Sequence, residues 1–293
     1  MLSKRGFVSG LVALPLAARA QTASPPAMPV MASFTILADF AARVGGERVA
    51  VSSLVGPDGD VHAFEPNPAD GMRLKSARVV VVNGLGLEGW LDRLVKASGA
   101  KAPVVTASRD VKPRREEAAL DPHAWLAAPN AKLYVAAIRD GLAQADPDGR
   151  GAYEERARAY AAELDALDGE IRAMLAPLPP ARRRVVSTHD AFGYFADAYG
   201  LTFIAPRGLA PEAEVAAKDV ATIIRQVRAD KVPAVFLENV SDPRLMETIA
   251  RETGAKIGGK LYSDALSPPG GDAADYLSLM RRNAKVLAVA LAG

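Results

Sequence analysis

From Ser33 onward the chain alternates short apolar runs with stretches of helical periodicity. Apolar runs at residues 33–37, 48–54, 78–82 and 103–106 predict four strands. Helices are predicted between them, over 38–44 with Gly45-Gly46 as a stop, over 68–76 with Asn67 as a cap, and over 87–97 ending near Gly99. The run RVVVV at 78–82 shows no polar alternation, the pattern of a strand buried on both faces. Strand and helix in regular succession imply a parallel sheet covered by helices. A helix over 131–145, capped by Asn130, closes this half.

Residues 151–175 read differently. Apolar positions fall at Tyr153, Ala157, Tyr160, Leu164, Leu167, Ile171 and then Met174 or Leu175. Steps of four and three make one continuous stripe on a single helix. Such a helix would be about 37 Å long, and Pro177, Pro179 and Pro180 end it. The βα rhythm then restarts, with strands predicted at 184–188, 201–205, 234–237 and 256–261. Helices are predicted over 191–199, 214–230, 243–253 and 273–291. The expected fold is α/β: two βα lobes, each a mostly parallel sheet flanked by helices, joined by one long rigid helix. The lobes are expected at 31–150 and 178–293, with the connecting helix at 151–177.

The N-terminus changes the picture of where the protein works. Lys4 and Arg5 precede an apolar stretch too short to span a membrane, and Ala18-Arg19-Ala20 reads as a cleavage site. Residues 1–20 are therefore expected to be a signal peptide, and the Pro-rich 21–30 a disordered lead-in. The stretch SKRGFV at 3–8 resembles a twin-arginine signal with its first arginine replaced by lysine, which leaves the export route open. Removing residues 1–20 takes away Lys4, Arg5 and Arg19 and no acid, so the formal charge of +2 becomes −1. No basic stripe with interleaved aromatics exists, so nucleic acid is not an expected partner. The absence of cysteine excludes disulfides, thiolate metal sites and thiol nucleophiles, and gives a lipid anchor no attachment point. The processed protein is expected to be soluble and periplasmic.

Any metal must then take nitrogen and oxygen ligands, and the histidines draw attention. There are three, His62, His123 and His189, each in a short stretch rich in turn-forming or polar residues. Each is predicted to follow a strand, where ligands of open α/β sheets bind. His62 and His123 would come from one half and His189 from the other. Asp264, after the strand at 256–261, is the leading fourth ligand. Glu238, after the strand at 234–237, is an alternative ligand or a group that orients an imidazole. Glu65 is a third choice, although Pro66 and Pro68 keep it off a common helical face with His62. Trp125 and Tyr194-Phe195 read as packing, and the charges at 108–120 as a solvated loop.

Six segments carry a family resemblance: VHAFEPNPAD at 61–70, DPHAWL at 121–126, STHDAFGYFADAYGL at 187–201, GLAPEAE at 208–214, VFLENV at 235–240 and LYSDALS at 261–267. In this order they resemble the zinc/manganese substrate-binding proteins of bacterial metal ABC transporters, across essentially all of 30–291. The resemblance implies two lobes with the metal between them, ligands at His62, His123, His189 and Asp264, and delivery to an inner-membrane ABC permease. It is compatible with a monomer and with loading by a periplasmic metallochaperone. Zinc-preferring members often carry a long histidine-rich loop between the first two ligand segments; here that loop is short and has no histidine. Three imidazoles and one carboxylate suit zinc, with manganese as the alternative. The competing class is a zinc metallohydrolase, with three imidazoles, an activated water and Glu238 as base. Asp264 discriminates between them, because its ligation would close the shell. Binding needs neutral imidazoles, so affinity is expected to fall as the pH drops through about 6.5.

Overall fold

A computed structural model describes residues 26–116, 119–211 and 215–292. The expected signal at 1–20 and the start of the lead-in lie outside them. The first half contains β1 (Met28–Ala32), α1 (Thr35–Gly45), β2 (Val49–Ser53), α2 (Pro68–Ser76), β3 (Val79–Val82), α3 (Leu91–Ser98) and β4 (Val104–Thr106). A small antiparallel hairpin, β5 (Arg115–Glu116) and β6 (Ala119–Leu120), precedes α4 (Ala128–Ala145). The long helix α5 (Arg150–Leu175) follows. The second half contains β7 (Arg184–Val186), α6 (Gly193–Tyr199), β8 (Thr202–Ile204), α7 (Ala217–Ala229), β9 (Ala234–Glu238), α8 (Arg244–Thr253), β10 (Lys256–Leu261) and α9 (Tyr276–Ala292).

Both four-stranded sheets are wholly parallel and follow one plan. The first runs β2-β1-β3-β4 and the second, read from its other edge, β8-β7-β9-β10. In each, strand order reverses beside the first strand, between β1 and β3 and between β7 and β9. All four valines of β3 are buried, as its uninterrupted apolar run predicts.

Two expectations at the start of the first lobe are corrected. The lead-in does not extend to residue 30, because β1 begins at Met28 and pairs with β2 on one side and β3 on the other. Pro29, its second residue, is exposed, while Met28, Val30, Met31 and Ala32 are buried. Pairing on both edges overrode a composition that reads as disordered. The apolar run at 33–37 is no strand either: α1 starts at Thr35 and buries Thr35, Ile36, Leu37, Phe40, Ala41 and Val44. A short apolar run has no period long enough to tell a buried helix from a buried strand.

Asn67 caps α2 as expected. Its Oδ1 accepts from the Ala69 and Asp70 amides at 2.8 and 3.2 Å, and Asp70 returns the bond from the Asn67 amide at 3.0 Å. Asn130 does not cap α4, which begins two residues earlier; its Nδ2 donates to the Ala124 carbonyl at 3.1 Å instead. The loop at 108–120, expected to be solvated, holds the hairpin, and its half-buried Arg114 reaches in to the buried Asp121.

Helix α5 has 26 residues, a length of about 39 Å at 1.5 Å per residue. Its stripe of Tyr153, Ala157, Tyr160, Leu164, Leu167, Ile171 and Leu175 is buried. It packs on α1 and α4 of the first lobe and on α6 and α9 of the second. One continuous apolar core therefore runs from β1 through α5 to Phe236, Leu261 and α9. A smaller cluster, with Ile223, Val235, Met246 and Ile249, lies under α7 and α8.

Leu167→Ala should lower unfolding stability by about 2–5 kcal/mol through the cavity it leaves. Both lobes should unfold together because they share this core. Urea denaturation followed by far-UV circular dichroism and by the fluorescence of Trp90 and Trp125 should give coincident midpoints, shifted together by the substitution.

Candidate metal centre

Each candidate ligand leaves its sheet at the carboxyl end of a strand. His62 lies in the loop from β2 to α2, where Asp60 Oδ1 accepts the His62 and Ala63 amides at 2.8 and 3.3 Å. His123 follows Asp121-Pro122 in the long connection after β4. Asp121 Oδ1 accepts the His123 amide at 3.0 Å and stands 2.9 Å from its Nδ1. Asp121 Oδ2 in turn accepts from Arg114 at 3.3 Å. His189 comes three residues after β7, and Asp264 three residues after β10. Glu238, the last residue of β9, accepts the Thr188 and His189 amides on Oε1 at 2.7 and 3.1 Å. Its Oε2 lies 2.5 Å from His189 Nδ1.

These loops bring His62, His123, His189 and Asp264 together, with one donor atom of each within 4.8 Å of all the others. His62 Nε2 is 3.2 Å from His123 Nε2. Asp264 Oδ2 lies 3.6 Å from His62 Nε2 and 3.3 Å from His189 Nε2, and Oδ1 lies 3.6 Å from His123 Nε2. The side chains of His123, His189 and Asp264 are fully buried, while that of His62 keeps 9% exposure.

Among the described residues, neither oxygen of Asp264 and not the Nε2 of His189 has a hydrogen-bond partner. A buried carboxylate without a donor is strongly unfavourable unless a charge compensates it. The convergent nitrogen and oxygen atoms fit a divalent cation at their centre.

Electrostatics divides the imidazoles. Burial lowers the pKa of His62 to about 4, against the pull of Asp264. Burial also opposes charge on His189, but the carboxylates of Glu238 and Asp264 outweigh it and raise its pKa well above 6.5. Burial works against ionised Asp264, yet the three imidazoles, His189 foremost, hold it below the usual carboxylate range.

Glu238 lies behind His189 and is not among the four converging groups. Glu65 is exposed and lines a groove between α2 and α3 with Met72 and Trp90. Sequence reasoning missed three positions. Asp121 orients His123 as Glu238 orients His189; an acid two residues before a histidine was the available signal. Trp125 is more than packing, because its Nε1 donates to the Ser263 carbonyl at 2.9 Å, beside Asp264. Asn239, next to Glu238 in VFLENV, bonds both neighbours of Asp264.

A family model described as zinc-uptake complex component A, periplasmic, matches residues 30–290. The chain belongs to that family. It is similar to the manganese-binding lipoprotein MntA of Halalkalibacterium halodurans, at 35% identity over 87% of this chain and 85% of that protein. It is also similar to the iron-binding protein YfeA of Yersinia pestis, at 32% identity over 88% of this chain and 85% of the relative. Among solved structures, the periplasmic zinc-binding protein TroA from Treponema pallidum aligns with a TM-score of 0.86 and 28% identity, over 90% of this chain and 99% of that one. The zinc-uptake family is one of binding proteins, so the hydrolase alternative is set aside. The structure agrees: Glu238, the supposed base, is committed to two backbone amides and to the far nitrogen of His189.

Three histidines make the metal-free protein suited to imidazole NMR titration. One ring, His62, should titrate at about 4, and His189 above its ordinary value. Glu238→Gln should lower the His189 value, since the Glu238 charge is the largest influence raising it. The signs for stability are opposite. The contribution of His189 is present below its unfolded pKa and lost as the pH rises through the folded one; that of His62 is lost as the pH falls from 6.5 toward about 4.

Proposed function

We propose that this protein captures a divalent transition metal between its lobes, zinc in preference, and hands it to an inner-membrane ABC permease for import. The convergence of three imidazoles on a buried carboxylate, both of whose oxygens lack a hydrogen-bond partner among the described residues, carries this reading. In it His62, His123, His189 and Asp264 are the ligands, and Asp121 and Glu238 fix the orientation of two imidazoles. Four ligands leave no open position for an activated water, which suits capture rather than hydrolysis. All four come from one chain, so a monomer suffices. Export by residues 1–20 would place the protein in the periplasm, and the sequence offers no cysteine for the lipid that its lipoprotein relatives are named for.

A nitrogen-rich shell binds zinc more tightly than manganese in the general affinity order, which favours zinc. One observation supports manganese as the second reading. Both oxygens of Asp264 face imidazole nitrogens, so a bidentate carboxylate would raise the coordination number and add oxygen character. The naming of relatives for manganese, iron and zinc is consistent with either.

Zinc titration of the metal-free protein should give one equivalent bound, with manganese displaced in competition. His189→Ala should weaken binding by at least about a hundredfold, beyond the effect typical of an orienting residue. Because zinc must displace the proton held on His189, affinity should rise with pH, by up to about tenfold per unit, until the raised His189 value is passed. Several equivalents bound, or unchanged affinity in His189→Ala, would refute this reading.

A further inference from the structure

The segment that carries Asp264 is tied to the first lobe as well as the second. Trp125 Nε1 donates to the Ser263 carbonyl at 2.9 Å, two residues from His123 in sequence. The Leu266 amide donates to Thr35 Oγ1 at 2.8 Å, and the Asp58 amide to the Leu266 carbonyl at 3.0 Å.

Asn239 brackets the ligand. Its Oδ1 accepts the Ser263 amide at 3.3 Å, and its Nδ2 donates to the Ala265 carbonyl at 3.2 Å, so it holds the residues on either side of Asp264. The same Nδ2 donates to Asp58 Oδ1 at 2.9 Å. Asp58 lies four residues before His62. It is one of three described non-glycine residues in the left-handed region, at φ 53°. It occupies the second central position of the turn Gly56-Pro57-Asp58-Gly59, closed by the Gly59 amide on the Gly56 carbonyl at 3.2 Å. That position favours glycine or asparagine. The chain keeps an aspartate there, and its backbone amide and carboxylate both reach across to the second lobe.

We propose that Asn239 and Asp58 are positioning residues that clip the His62 loop to the Asp264 segment, and that this clip sets how fast the metal leaves. The proposal rests on the metal-binding reading above. Breaking the clip removes one of two ties at Asp58, the amide bond to the Leu266 carbonyl remaining, and loosens the partly exposed ligand loop against Asp264, which raises the dissociation rate with little effect on capture.

The test measures release of zinc from loaded protein into excess chelator, after an equilibrium titration of each variant, with thermal melting of the metal-free forms. Asp58→Gly suits the turn, so its melting temperature should be unchanged or higher. Its zinc release should nonetheless be about three- to tenfold faster, the scale of one hydrogen bond. Asp58→Asn keeps an oxygen acceptor for Asn239 and should release at the wild-type rate. Asn239→Asp sets a carboxylate against Asp58 and should release faster. The double variant Asp58→Gly/Asn239→Asp should be no faster than Asn239→Asp alone, because the two share one contact. Wild-type release rates in both Asp58→Gly and Asn239→Asp would overturn the clip while leaving metal binding intact. Failure of the wild-type protein to bind zinc at all would overturn the metal reading, and the clip with it.

Discussion

The rest of the structure depends on a buried carboxylate that faces three imidazole nitrogens at 3.3–3.6 Å. A lone charge in such a place is costly, so Asp264 needs a positive partner at all times. In the metal-free protein the raised affinity of His189 for a proton meets that need. In the loaded protein a divalent cation would meet it with more charge and more bonds. The neighbouring acids do not compete for the same partner. Asp121 is balanced by Arg114, and Glu238 by two backbone amides. Each can therefore aim an imidazole without drawing the cation away from the centre.

Two sheets of one plan make this arrangement possible. Parallel strands deliver their loops to one end, and the reversal of strand order opens a crevice there. His189 and Glu238 come from the strands that flank the reversal in the second sheet. His62, His123 and Asp264 come from connections after β2, β4 and β10. Helix α5 and the continuous core hold the two ends face to face, so the donor atoms sit within 4.8 Å. Wide separation of the lobes would expose apolar surface now shared by α1, α5 and α9, which opposes a large hinge motion.

Much of this was legible in the sequence, for physical reasons that differ by element. The parallel sheets and α5 leave long periodic patterns, and a scarce residue type such as histidine advertises its own clustering. Asp264 could be nominated because it follows a strand, but only the assembled loops show it against all three imidazoles. The first strand and helix escape the pattern because pairing on both edges of β1 overrides its proline, and because FTIL is too short to reveal a helical period. Asn239, Trp125 and Asp58 stayed hidden for another reason. They act on backbone groups or on side chains far away in sequence, and such bonds leave no compositional trace.

That last group bears on which parts of the molecule act as units. By sequence the candidate ligands divide evenly, two from each half. By hydrogen bonding they do not. The Asp264 segment emerges from the second sheet but is bonded to Trp125, Thr35 and Asp58 of the first lobe. His189 is anchored to the second sheet by its place after β7 and by Glu238. His123, His189 and Asp264 have no exposed side-chain surface, and His62 has some. In the proposed function, a route past His62 would need the smallest rearrangement. The loop on which His62 rides is the one that Asp58 fastens. In that reading the three buried groups and His62 are held by different contacts, so retention could be tuned without rebuilding the shell.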